Sequence, residues 1–394
     1  MKYIKIILSE PIIIITFLPS IFFLLIMIAV QKIILFKIGF LHSNRLGHFA
    51  ANTELYILKK KKFKINSIDF FYFGRKEISN KYLATHWKNK LIILPYSLLR
   101  CLDLIIRATN LKKKFSCNFF SNTDRDLYQL YESFPPTILI EDNHKNNFLK
   151  KFNLKLNDKI ICINVRDSEY LKSVYNPKIH NLKHHNYRDC KIENFTKVIN
   201  YLLENNFKVF RVGAKKNYYL DINHVNFFDK KYSENRTDAS DVILSSVCQF
   251  CISTGSGFDA LPRIFRKPIL FVNLIPIINY HSFCKNDLTI CKHIYKDKKL
   301  SIESIFKNNF FDGLETEFYK RNNLKLQENS PEEILNVTKE MILRLEGKFK
   351  LSKENLKLQQ LIKKKIVKVD NNKTKHGKLV SCFGEDFLKE NFYD

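Results

Sequence analysis

The run Lys159–Val165, KIICINV, limits the fold of this chain more than any other segment. Its only charge stands at the start, and aliphatic side chains occupy both parities. That suits a parallel strand buried on both faces better than a strand with one wet side. Phe195, Val198, Ile199, Leu202 and Leu203 then recur at helical spacing within Glu193–Asn205. Lys208–Val212 reads as a strand closed by Gly213, Ala239–Val247 as a short helix and Phe250–Ser253 as a strand. Phe258–Arg266 follows as a helix and Pro268–Val272 as another strand. Strands alternating with helices across short joints predict a doubly wound, parallel α/β sheet.

A second series, nearer the N-terminus, has the same order. Lys32–Leu41 reads as a strand that ends in the polar turn His42-Ser43-Asn44-Arg45-Leu46-Gly47-His48, and a helical pattern runs from Phe49 to about Lys60. Ile68–Phe73 and Lys90–Leu94 are further strand candidates, with a helical stretch at Leu98–Thr109. Two Rossmann-like α/β domains follow, dividing near residue 150 with a ligand cleft between them. Ser330-Pro331-Glu332-Glu333 starts a helix that ends at Gly347, with Ser as cap and Pro in the first turn. The expected domains are 1–31 (a membrane anchor), 32–150 and 151–347 (the N-terminal and C-terminal Rossmann-like domains) and 348–394 (a polar helical tail).

The anchor is expected from Pro11–Val30, twenty residues without a charge. About 20 apolar residues cross a bilayer as a helix, and no A-x-A site follows to mark a cleaved signal. Pro11 and Pro19 favour a kink or a monotopic insertion. Lysines stand on both sides, at Lys2, Lys5, Lys32 and Lys37, so they do not orient the segment. Nine cysteines, an odd number, several inside strand-like runs, suit reduced thiols and a cytosolic catalytic portion. The net charge of +27, from 66 Lys+Arg against 39 Asp+Glu, attracts polyanions, although a Lys-, Asn- and Ile-rich composition explains much of it. Without aromatics interleaved on a basic stripe, or a known nucleic-acid module, nucleic acid is not expected as a partner.

The chemistry is expected around Cys251–Asn273. Ser253-Thr254-Gly255-Ser256-Gly257 lets the backbone approach a ligand, and the following helix aims N–H groups and its positive dipole end at the same point. A diphosphate suits that position, with Thr254 and Ser256 as hydroxyl donors. Asp259 either accepts from a ligand hydroxyl or complements the dipole. Arg166, just past a buried strand, suits bidentate phosphate contact, and Arg188 and Lys215 are candidates to join it. Across the cleft, Asn44 and Arg45 mark the acceptor side. His48, and after it Glu54, are candidate general bases. No Asp-x-Asp motif is placed to hold a metal–diphosphate, so no metal and no cofactor are expected.

At these places the chain resembles a family of uncharacterised bacterial glycosyltransferases. The resemblance lies in Gly39–His48 with Asn52-Thr53-Glu54-Leu55, Val165-Arg166-Asp167-Ser168, and His185-Asn186-Tyr187-Arg188-Asp189. It continues in Asp238-Ala239-Ser240-Asp241 and Ser253–Gly257, and covers roughly residues 33–320. The late segment is also distantly similar to the donor half of GT-B enzymes such as heptosyltransferases and bacterial fucosyltransferases, where an arginine after a strand holds the donor phosphates. Arg166 matches that position. The resemblance implies a GT-B architecture and metal-independent transfer of sugar from a nucleotide-sugar, often to a cell-surface polysaccharide. The anchor and the basic charge add a lipid-linked glycan as an acceptor and place the chain at the bacterial inner membrane with its catalytic part in the cytoplasm. The competing readings are a pyruvyl or phosphoryl transferase on a similar fold, and a non-enzymatic basic membrane tether.

Overall fold

The computed structural model describes residues 14–74, 78–117, 125–167, 182–213, 218–370 and 374–394. The chain divides into two units, Met1–Asp124 and Arg125–Asp394. The division falls upstream of the one expected near residue 150.

The first unit is built on a three-stranded parallel sheet in the order β1 (Phe36–Leu41), β2 (Ile68–Phe73), β3 (Ile92–Ile93). Helix α1 spans Phe17–Val30, α2 Leu46–Lys62, α3 Lys81–Lys88 and α4 Tyr96–Ala108. The sequence β1–α2–β2–α3–β3 is the strand–helix alternation expected for this half. Trp87, the single tryptophan of the chain, is fully buried, and its Nε1 donates to Phe49 O at 3.1 Å.

Helix α1 corrects the membrane anchor. It covers fourteen residues, about 21 Å at 1.5 Å per residue, against a hydrocarbon layer of about 30 Å. Among the described residues no helix is long and apolar enough to cross a membrane. The stripe Ser20, Leu24 and Met27 is buried, at the spacing of one helix face. Leu24 and Met27 share a core with Leu99, Leu102 and Ile106 of α4, and with Ile38 and Tyr72 of the sheet. The uncharged run therefore includes a packing element of the first unit, and the expected inner-membrane placement of the chain loses its support. Leu18, Phe22 and Leu25, on the outer side, are exposed.

The second unit is organised around a seven-stranded sheet in the order β13-β9-β8-β7-β4-β5-β6. These strands are β4 (Ile160–Asn164), β5 (Lys208–Val212), β6 (Phe227–Phe228), β7 (Phe250–Ser253), β8 (Ile269–Leu274), β9 (Leu288–Cys291) and β13 (Cys382–Phe383). All neighbouring pairs are parallel. A small antiparallel sheet is formed by β10 (His293–Lys296), β11 (Lys298–Lys299) and β12 (Lys325–Gln327). Every residue of β4, β7 and β8 is buried, as strands covered on both faces require. In chain order the sheet grows from β4 through β5 to β6, then restarts at β7 on the other side of β4.

Helices α5 (Asp142–Lys151), α6 (Thr196–Glu204), α7 (Asp238–Val247), α8 (Ala260–Ile264) and α9 (Pro331–Leu345) pack on this frame with α10 (Lys353–Val369) and α11 (Glu385–Asn391). Ser330 and Glu333 form a reciprocal capping box at the start of α9. Residues 348–394, expected as a polar tail, belong to the second unit. Their strand β13 pairs with β9, and Ile362, Ile366, Phe383 and Leu388 are fully buried.

Met27→Ala is expected to lower the stability of the first unit by about 2–4 kcal/mol, the usual loss for a buried methionine. Denaturant unfolding followed by Trp87 fluorescence measures it, and an unchanged transition would show that α1 lies outside the core.

Candidate functional site

The strand order reverses between β4 and β7, whose paired residues run from Ile161 with Phe250 to Asn164 with Ser253. Ligands of open α/β sheets bind beyond the carboxyl ends of the strands at such a reversal, because the two connections leave in opposite directions and open a crevice. Arg166 stands just past β4, and Thr254–Gly257 just past β7. Two segments far apart in sequence are thus brought to one edge.

The turn after β7 is held by its own side chains. Gly255 has φ of +79°, in the left-handed region open to glycine at little strain. Asp259, 5% exposed, turns its carboxylate back into the turn. It accepts from Ser256 N–H at 2.6 Å and from the Ser253 hydroxyl. Ser256 Oγ accepts from Phe258 N–H at 3.1 Å, Ser253 Oγ from Gly255 N–H at 3.1 Å, and Asn164 O from Thr254 N–H at 3.2 Å. Asn164, the last residue of β4, donates its side-chain amide to Ser256 Oγ. Most N–H groups expected to cradle a phosphate are therefore engaged within the protein. The helix behind them is only a three-residue 3-10 turn, Gly257–Asp259, followed by the five residues of α8. Of the two roles open to Asp259, the geometry shows the internal one.

The cationic side chains offer what the backbone does not. Arg188 ends a 3-10 segment, Leu182–Arg188, and donates through Nη2 to Gly255 O. Arg166 donates its main-chain N–H to Thr254 Oγ1 at 2.8 Å. Its guanidinium Nε is buried without a hydrogen-bond acceptor among the described residues, while Asp189 Oδ1 lies 3.4 Å away as an ion-pair partner. Burial, and then the neighbouring Arg188 guanidinium, lower the pKa of Arg166. Two guanidiniums near enough to affect each other's charge, against the single Asp189 carboxylate, leave this edge cationic and suited to an anion.

Of the other expected residues, Lys215 lies outside the described residues. Asp238-Ala239-Ser240-Asp241 opens α7, where Asp241 accepts from Tyr232 Oη at 2.7 Å and Arg236 Nε at 2.8 Å, a structural role. In the first unit, Asn44 is half-buried and Arg45 exposed, just before α2. His48 is half-buried in the first turn of α2, with its ring centroid 5.8 Å from that of His42. Glu54 is fully buried within the unit. Asn164 was not singled out by the sequence reading. The signal for it was an amide closing an otherwise aliphatic strand, directly before Val165-Arg166.

No protein-family model matches the chain, and no curated protein does. Among solved structures it is similar to ADP-heptose LPS heptosyltransferase II of E. coli, at 10% identity and a TM-score of 0.42, over 66% of this chain and 92% of that one. It is also similar to a family 9 glycosyltransferase of Veillonella parvula, at 13% identity and a TM-score of 0.37, over 60% of this chain and 79% of that one. A third is the iron-containing dodecameric glycosyltransferase TibC of enterotoxigenic E. coli, at 10% identity and a TM-score of 0.30, over 62% and 61% of the two chains. The distant likeness to heptosyltransferases expected from the sequence is thus found among solved structures.

Burial raises the pKa of Asp259 to about 6, against the hydrogen bonds and the Arg188 charge that lower it. Because the folded-state value lies above the ordinary one, the folded protein binds this proton more tightly than the unfolded chain does. Asp259 therefore contributes stability that is fully present below about pH 4 and is lost as pH rises through about 6. Thermal unfolding from pH 4 to 7 is expected to show that fall, and Asp259→Asn to flatten it. A variant profile parallel to the wild type would refute the assignment.

Proposed function

We propose that the chain is a glycosyltransferase whose second unit holds the diphosphate of a nucleotide-sugar beyond the carboxyl ends of β4 and β7. The observation that carries this reading is the convergence of Arg166 and Arg188 at the reversal of strand order. In the reaction an acceptor hydroxyl forms a bond to the anomeric carbon of the donor. The bond from that carbon to the diphosphate oxygen breaks, and the departing nucleoside diphosphate takes the electron pair. Arg166 and Arg188 stabilise the charge that develops there, as fixed cations in a partly desolvated site do. This is the metal-independent route, and the nucleotide-sugar is substrate, not cofactor.

The hydroxyl proton goes to a general base. His48 of the first unit, beside Asn44 and Arg45, is the candidate we favour, since it reaches solvent while Glu54 does not. A hydroxyl on a cell-surface polysaccharide or lipid-linked glycan is the acceptor the reading favours.

Titration with a panel of nucleotide-sugars tests the proposal, and absence of binding and turnover with all of them would refute it. Arg166→Ala and Arg188→Ala are each expected to weaken donor binding about 10–100-fold, the worth of one charged hydrogen bond at 1.5–3 kcal/mol. His48→Gln is expected to cut kcat about 100-fold or more while donor affinity stays near wild type. A transferred group with the mass of pyruvyl or phosphoryl would replace the glycosyl assignment.

A further inference from the structure

Lys292 joins β9 to β10 and is 7% exposed. Burying an ammonium costs several kcal/mol unless the charge is well hydrogen-bonded. No carboxylate among the described residues pairs with it. Its Nζ donates to Asp189 O at 2.6 Å and to Tyr187 O at 3.2 Å. The residue between those two carbonyls is Arg188. The main-chain N–H of Lys292 donates to Leu274 O at 3.2 Å, which ties the lysine to the end of β8.

Each neighbour of Arg188 in this loop bears on the anion site. The Asp189 carboxylate pairs with Arg166 at 3.4 Å. Cys190 N–H donates to Arg166 O at 3.0 Å, and the Cys190 thiol donates to Arg188 O at 3.4 Å. A side chain of Gly255 would meet Arg188 Nη2 and Leu274 Cδ1, each at 3.6 Å, so loop, turn and strand end converge on one spot. An ammonium bound to two carbonyls of one short loop fixes the backbone on either side of the residue it brackets. Since carbonyl dipoles satisfy it without cancelling its charge, it also adds a positive charge behind the arginines.

We infer that Lys292 is a positioning residue for the diphosphate site: it clamps the Tyr187–Cys190 loop so that Arg188 meets Gly255 and Arg166 faces the anion. The inference rests on the proposed donor site. A hydrophobic replacement leaves two carbonyls without their donor, and the loop then no longer presets the guanidinium before ligand arrives. Arginine keeps both the charge and the donors.

Calorimetric binding of inorganic pyrophosphate and of UDP, GDP and ADP to wild type, Lys292→Met and Lys292→Arg tests this. Lys292→Met is expected to weaken the anion that wild type binds by about tenfold or more, with Lys292→Arg recovering most of the loss. Thr338→Val, which removes a buried hydroxyl bonded to Ile334 O at 2.7 Å in α9, is the control and is expected to lower Tm without moving the affinity. Should Lys292→Met fail to fold, the wild-type ammonium resonance of Lys292 serves instead, and it must shift on titration with pyrophosphate. Binding by Lys292→Met equal to wild type, or an unmoved resonance, would overturn the inference while leaving the donor site standing. Failure of wild type to bind any of these anions would overturn both.

Discussion

The buried carboxylate of Asp259 sets the terms for the carboxyl edge of the second unit. An isolated charge in that position would be strongly disfavoured, so it must find donors or hold its proton. Here it does some of each: Ser253 and Ser256 serve it, and its pKa is still pushed up to about 6. Asn164 reaches into the same group from β4. One carboxylate thus ties two adjacent strands and the turn between β7 and α8 into a single hydrogen-bonded group.

That arrangement decides which groups recognise a ligand. A turn that spends its N–H donors on its own acid, its own serine hydroxyls and the carbonyl of Asn164 has few to offer to a phosphate. In the proposed donor site, recognition passes to side chains that arrive from elsewhere: Arg166 from the end of β4, and Arg188 from a segment that crosses to Gly255. The reversal of strand order makes room for them. The likeness between this edge and a helix-terminus phosphate site is therefore one of position, since the cationic donors are guanidiniums.

Much of the fold was legible because buried parallel strands carry a strong pattern. Ile160–Asn164 falls within KIICINV, Ile269–Leu274 covers most of the expected strand Pro268–Val272 and runs two residues past it, and Ser330 with Pro331 placed the start of α9 within a residue. The misreadings have physical causes. Helix α1 is apolar on its exposed side as well as on the stripe Ser20, Leu24 and Met27, so hydropathy alone could not separate packing from spanning. Strand β13 is two residues long, too short for any periodicity, and becomes a strand only because β9 offers it an edge. At the site, Arg166 and the glycine turn were visible as residue types after strands, and Arg188 as a cation in a polar insert. That Asp259 folds back into its own turn was not, because a first-turn acid looks the same whether it faces outward or inward. Lys292 sits in the apolar run LTICKHIY, where a lone lysine was a signal left unused.

The self-satisfied turn has a consequence for the timing of binding. A loop that must find new partners when a ligand arrives gates the encounter, and its rearrangement limits the rate of association. The Ser253–Asp259 turn already has its hydrogen bonds made without a ligand, so it has no such search to make. If the proposed donor site is right, the rate at which an anion is captured there is set by diffusion and by the long-range pull of the two guanidiniums. Selectivity among anions falls to how long each one stays.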